Sequence, residues 1–140
     1  MICNISKLSI NTEQYLPLFT ESIKAGFPSP AEEYIEEKLD LNTHLIRHPE
    51  ATYFVTVSGD SMVNEGILNN DILIVDRAIN PEHGKIIIAI IDGEFTVKKL
   101  YRKNNKLLLL AANPKYKAIE IKQDQELISW GVVIHAIHSF

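Results

Sequence analysis

From Ala51 to the C-terminus the chain alternates short apolar runs with polar or glycine-containing breaks, a pattern that predicts β-strands. Ala51-Thr52-Tyr53-Phe54-Val55-Thr56-Val57 is the first such run, and Ile72 to Val75, held between Asp71 and Asp76, is the second. Lys85 to Ile91 and Glu94 to Arg102 flank Asp92-Gly93, a pair suited to the two-residue turn of a tight hairpin. Asn104-Asn105 turns the chain again into Lys106 to Ala112, and Ala118 to Ile121 and Leu127 to Ile137 supply two further strands. Successive short strands with short turns predict a mainly β fold: strongly bent antiparallel sheets or a partly open barrel.

The first 28 residues follow no such rule. Ile10, Tyr15, Leu16, Leu18, Phe19, Ile23 and Phe27 are scattered among polar residues and Pro17 without a sustained period. The segment fits an arm packed on the body in extended form and equally a partly disordered terminus. Ser29-Pro30-Ala31-Glu32 then reads as a helix start, with Ser29 as cap, Pro30 at the first helical position and Glu32 completing a capping box. Ala31, Ile35 and Leu39, four apart, give it one apolar stripe. Asp40 or Asn42 caps a further short turn through Leu45 and Ile46, which Pro49 ends. The expected organisation is an N-terminal arm over 1–28 and a β-rich domain over 29–140.

Composition narrows the class without naming an activity. The 140 residues suffice for one compact domain plus an arm, and 46% hydrophobic with 23% charged residues is a globular composition. A formal net charge of -4 argues against a dedicated nucleic-acid binder and against direct sequence-specific DNA recognition. The single cysteine, Cys3, excludes an internal disulfide, and no apolar run reaches the roughly 18 residues of a membrane helix. With no signal-peptide pattern at the start, a cytoplasmic protein is the simplest expectation.

Few residues could carry chemistry. There is no glycine-rich phosphate loop and no CxxC pair, and Gly59-Asp60-Ser61-Met62-Val63 lacks the second glycine of a G-x-S-x-G elbow. His44 and His48 have no third ligand nearby in sequence, so no metal site is expected; His135 and His138, three apart on a strand, point to opposite faces. His83, beside Gly84, is a turn residue before it is a base, and Arg102, Lys103 and Lys106 read as a solvated basic turn. What remains is Ser61, on a small-residue turn that follows a strand, with Lys98 and Lys99 on a later strand. A serine there is ordinarily a cap and the lysines ordinarily solvated. The functional alternative is a Ser/Lys dyad, in which a neutral amine takes the hydroxyl proton. Near neutral pH only about one unperturbed lysine in 2,500 is uncharged, so the base must be desolvated. The turn before Ser61 would direct backbone N–H groups, those of Asp60 and Ser61, at a developing oxyanion. Alternation puts Lys98 and Lys99 on opposite faces and does not choose between them.

Ser58-Gly59-Asp60-Ser61-Met62, Asp71-Ile72-Leu73-Ile74-Val75-Asp76 and Asp92-Gly93-Glu94-Phe95-Thr96-Val97-Lys98-Lys99-Leu100, in that order, resemble the LexA/UmuD family of self-cleaving serine peptidases. Phe27-Pro28-Ser29-Pro30-Ala31 and Gly131-Val132-Val133-Ile134-His135 extend the likeness toward its UmuD branch, over almost the whole chain from Leu16. The resemblance implies a domain of the LexA C-terminal type with Ser61 as nucleophile, Lys98 as general base and no cofactor. It places the scissile bond at Ala25-Gly26, with alanine where UmuD proteins commonly have cysteine and LexA proteins have alanine. Only 25 residues precede Gly26, with no helix-turn-helix pattern, which points to UmuD rather than to a repressor. The partners so implied are a second copy in a homodimer, the RecA filament on single-stranded DNA that stimulates cleavage in the SOS response, and a UmuC-like Y-family polymerase joined by the cleaved form for translesion synthesis.

Two other readings compete. One is a non-catalytic β-rich module that dimerises and docks on a polymerase by strand addition. The other is a signal-peptidase-like Ser/Lys enzyme acting on other chains, which the missing membrane segment disfavours.

Overall fold

A computed structural model describes residues 2–7, 13–19, 22–23, 25–26, 36–122 and 124–140. The chain divides into two compact units, one of residues 1–9 with 48–140 and the other of residues 10–47.

The larger unit is a single open antiparallel sheet. Its strands are β1 (Ile2–Lys7), β4 (Thr52–Val57), β5 (Ile72–Asp76), β6 (Ile86–Ile91), β7 (Glu94–Lys103), β8 (Lys106–Leu110), β9 (Ile119–Glu120) and β10 (Leu127–Ile137). They lie in the order β1-β4-β5-β10-β6-β7-β8-β9, so β1 and β9 form its edges and the sheet does not close. The mainly β, strongly bent fold expected from the sequence is borne out. Asp92 and Gly93 join β6 to β7 with φ of 49° and 84°, the left-handed conformation that an Asp-Gly hairpin turn supplies. Asn104 and Asn105 do the same between β7 and β8.

β6 shows why the sheet is apolar on both faces. Ile88 packs into a core with Val55, Val57, Met62, Leu73, Val75 and Val97, while its neighbours Ile87 and Ala89 pack on the other side with Leu100, Leu109 and Val132. β10 lies between β5 and β6 and makes the bend: its register slips between Ser129 and Gly131 against β6, and again between Val133 and His135 against β5. Each slip adds local curvature, which lets one strand serve two differently inclined neighbours.

The smaller unit corrects one expectation. Residues 36–40, read as the end of an amphipathic helix, form the strand β3 (Glu36–Asp40), antiparallel to β2 (Tyr15–Phe19), with Leu16 opposite Leu39 and Pro17 opposite Lys38. Cross-strand pairing with the Tyr15–Phe19 segment overrides the four-residue apolar spacing, which β2 could not reveal because its own sequence has no clear period. The Ser29–Glu32 helix start lies outside the described residues. The short turn beyond Asp40 is present: α1 (Leu41–Leu45) is capped by Asp40, whose carboxylate accepts from the Thr43 N–H at 3.1 Å and the Thr43 hydroxyl at 2.7 Å.

Candidate active site

Ser61 sits just beyond β4, in a turn tied down on both sides. Upstream, the Val57 N–H donates to the Asp71 carbonyl at 3.0 Å and the Asn70 N–H to the Val57 carbonyl at 2.9 Å. Gly59 donates its N–H to the Asn69 side-chain oxygen at 2.8 Å and adopts φ of 100°, which costs little only for glycine. Downstream, Met62 is buried in the core, and a short 3-10 turn over Val63–Glu65 closes on Gly66 at φ of 85°. Ser61 is thus flanked by a left-handed glycine and a core anchor.

Across from it, β7 resolves the choice between the two lysines. Lys98 is 8% exposed, whereas Lys99 faces outward and pairs with Glu65 at 2.7 Å. The Lys98 Nζ lies 3.5 Å from the Ser61 Oγ. That is the long end of hydrogen-bond range, and such contacts commonly tighten only when substrate closes the site. Burial pushes the Lys98 amine below the ordinary lysine range. Among the described residues no carboxylate lies within ion-pair distance of it. Desolvation without a counter-charge favours the neutral amine.

Both side chains open onto a cleft of about 730 Å³, walled on one side by the Ser58–Ser61 turn and on the other by Glu94, Phe95, Thr96 and Lys98, with Ile91, Asp92, Tyr116 and Ile119 at its margins. Apolar Phe95, Ile91 and Ile119 beside a serine and a neutralisable amine make a surface on which a small-residue peptide could be held and attacked.

Two residues of this site escaped the sequence reading. The segment after β8 folds back on the Ser61 turn: the Ala112 N–H donates to the Ser61 carbonyl at 2.7 Å, and the Asn64 N–H to the Ala112 carbonyl at 2.8 Å. The Asn113 side-chain amide donates to the Asp60 carbonyl at 2.9 Å, and the Tyr116 hydroxyl to the Asp60 carboxylate at 2.8 Å. The Tyr116 ring centroid is 5.9 Å from the Lys98 Nζ. The Asp60 carboxyl is held below its ordinary range by the Tyr116 bond first, with Lys115 and its own backbone N–H adding to it, and the same bond raises the Tyr116 hydroxyl. The signal available in the sequence was Asn113-Pro114, a turn-initiating pair, but nothing local said which strand the turn would meet.

Ala25 and Gly26 belong to the smaller unit, in an exposed turn where Gly26 has φ of 86°. The His83 ring nitrogen accepts from the Arg102 N–H at 3.0 Å and its ring meets Tyr101 edge-on, outside the cleft. His48 pairs with buried Asp76 at 2.6 Å and His138 with buried Asp71 at 2.7 Å. Among the described residues no three His, Cys, Asp or Glu side chains gather as metal ligands, and no helix is long and apolar enough to cross a membrane.

The model of the peptidase S24-like family matches residues 17–134. The chain belongs to that family. Protein SamA of Salmonella typhimurium is 50% identical to it over 122 residues, covering 87% of this chain and 84% of SamA. Protein ImpA of Escherichia coli is 46% identical over 123 residues, covering 87% of this chain and 83% of ImpA. LexA repressor 1 of Pseudomonas syringae pv. tomato is 38% identical over 126 residues, which are 89% of this chain and 61% of the repressor. The family resemblance read from the Ser61 and Lys98 motifs is borne out over residues 17–134.

Proposed function

We propose that this chain is a UmuD-like self-cleaving serine peptidase of the SOS response, with Ser61 as nucleophile, Lys98 as general base and its own Ala25-Gly26 bond as substrate. The observation that carries the reading is a buried Lys98 amine, free of any carboxylate partner among the described residues, 3.5 Å from the Ser61 hydroxyl in an open cleft.

The chemistry follows from that pair. Neutral Lys98 takes the Ser61 proton as the Oγ attacks the Ala25 carbonyl carbon, and the resulting oxyanion is met by backbone N–H groups of the Asp60-Ser61 turn. The ammonium of Lys98 then gives its proton to the Gly26 nitrogen as the C–N bond breaks. Gly26 becomes a new amino terminus, and residues 1–25 remain attached only through the ester between Ala25 and Ser61. Lys98, neutral again, draws a proton from water as the water oxygen attacks the ester, and returns that proton to the Ser61 Oγ as residues 1–25 depart with a new Ala25 carboxyl terminus. In this reading residues 1–28 are the arm that is cut and 29–140 the catalytic domain. A RecA filament on single-stranded DNA stimulates the cut, and the shortened homodimer joins a UmuC-like polymerase.

The test is mass spectrometry of purified protein incubated at alkaline pH or with RecA filaments. Wild type is expected to lose residues 1–25 while Ser61→Ala and Lys98→Ala stay intact. Equal cutting of Ser61→Ala would sink the dyad.

A further inference from the structure

Tyr116 has no part in the steps above, yet it spans the gap between the general base and the nearest acid on the serine turn. Its hydroxyl donates to the Asp60 carboxylate at 2.8 Å, and its ring centroid lies 5.9 Å from the Lys98 Nζ. Asp60 immediately precedes Ser61, lines the same cleft as Lys98 and is exposed, so its side chain has room to rotate. Protonated and without a counter-charge, a buried amine would draw such a carboxylate in competition with Lys115 beside it. Were the two to pair, Lys98 would be held as an ammonium and would cease to accept the Ser61 proton.

We propose that Tyr116 is a positioning residue: by holding the Asp60 carboxylate through its hydroxyl, it keeps that carboxylate from pairing with the Lys98 amine. The proposal rests on the Ser/Lys reading of the site and adds to it the device that keeps its base uncharged. The backbone of the turn is held separately, through Asn113 on the Asp60 carbonyl and Ala112 on the Ser61 carbonyl, so the hydroxyl of Tyr116 is not needed to place the serine. The bond's effect on both partners has the expected sign, lowering the Asp60 carboxyl and raising the Tyr116 hydroxyl. The other charged groups around the cleft are Glu94 on the strand of Lys98, Asp92 in the hairpin turn and Lys115 beside Asp60. Asp92 and Glu94 stand at the hairpin between β6 and β7, whereas Asp60 is covalently one residue from the nucleophile.

The experiment compares Tyr116→Phe, Asp60→Asn and the double variant with wild type. Two readouts are used: the pH profile of self-cleavage, and the titration of the Lys98 side chain by carbon-13 NMR in a Ser61→Ala background, which cannot use the serine. Tyr116→Phe is expected to move both profiles to higher pH, so that cleavage near neutrality falls about three- to tenfold while the rate near pH 10 approaches wild type. Adding Asp60→Asn should return both profiles to the wild-type position, and Asp60→Asn alone should not raise them. A uniform loss of rate without a shift in midpoint, or a shift that Asp60→Asn leaves in place, overturns the proposal. If the NMR shift and its rescue appear but wild type shows no Ser61-dependent cleavage, the Tyr116 device stands and the peptidase reading fails.

Discussion

Lys98 carries a primary amine into a position only 8% exposed, with desolvation as the cause of its lowered pKa. The consequence for stability has a definite sign. Between the depressed folded value and the ordinary unfolded one, the unfolded chain binds the extra proton, so stability rises with pH across that window; below the folded value the cost of burying a charged amine is fully present. Lys98→Met keeps the aliphatic length and removes that cost. It is expected to abolish self-cleavage while raising the melting temperature near neutral pH by a few degrees, with the gain shrinking as pH rises. Calorimetry over a pH series checks it; a Lys98→Met protein less stable than wild type would contradict the desolvation argument. The sequence marked Lys98 and Lys99 as equivalent by alternation, and the family resemblance alone favoured the first. What separates them in the structure is Glu65, which meets Lys99 on the outer face at 2.7 Å.

At the scale of elements, β10 is the strand that shapes the sheet. Its long apolar run was legible in the sequence, but its two register slips were not, because a bulge depends on the partner strand as much as on the bulged one. Gly131 marks the first slip for a spatial reason: a Cβ there would lie 2.6 Å from the Val75 Cγ1 and 3.2 Å from the Arg77 Cγ. Val75 is fully buried and has nowhere to move. Gly131→Ala is therefore expected to destabilise the fold by about 1–3 kcal/mol, measured by urea denaturation, and a neutral result would show that the sheet relaxes there. The helix expected over 29–39 failed in its described part for the reason that made the hairpins legible. Asp92-Gly93 and Asn104-Asn105 encode their turns locally, whereas β3 exists only because β2 pairs with it.

The 48–140 segment is tied at both ends by buried acids. Asp76 is fully buried at the end of β5; one oxygen accepts from the Ala78 N–H at 2.8 Å and the other meets the His48 ring at 2.6 Å, where the chain enters the larger unit. Asp71 is 1% exposed and likewise serves the Leu68 N–H and His138, which follows the last strand. Both ends of the 48–140 segment are thus anchored on the two acids that bracket β5. Asp76→Ala takes the acceptor away from the Ala78 N–H and the His48 ring and leaves a fully buried side-chain position unfilled; it is expected to cost about 1–3 kcal/mol and to expose the region around His48 to limited proteolysis. Wild-type resistance in that variant would mean the anchor is dispensable. The sequence displayed both acids as brackets of an apolar run, without showing that histidines far away in the chain would reach them.

The sequence by itself determined the β class, the tight hairpins and the identity of the serine turn, since each is written in residues adjacent along the chain: alternation, Asp-Gly and Asn-Asn pairs, and small residues around Ser61. Only the tertiary structure decided the rest. Which lysine loses its solvent, how Asn113 and Tyr116 close on Asp60, where β10 bends and why residues 36–40 extend are set by partners that local pattern does not carry. Desolvation and strand pairing are properties of neighbours in space, and neighbours in space come only with the fold.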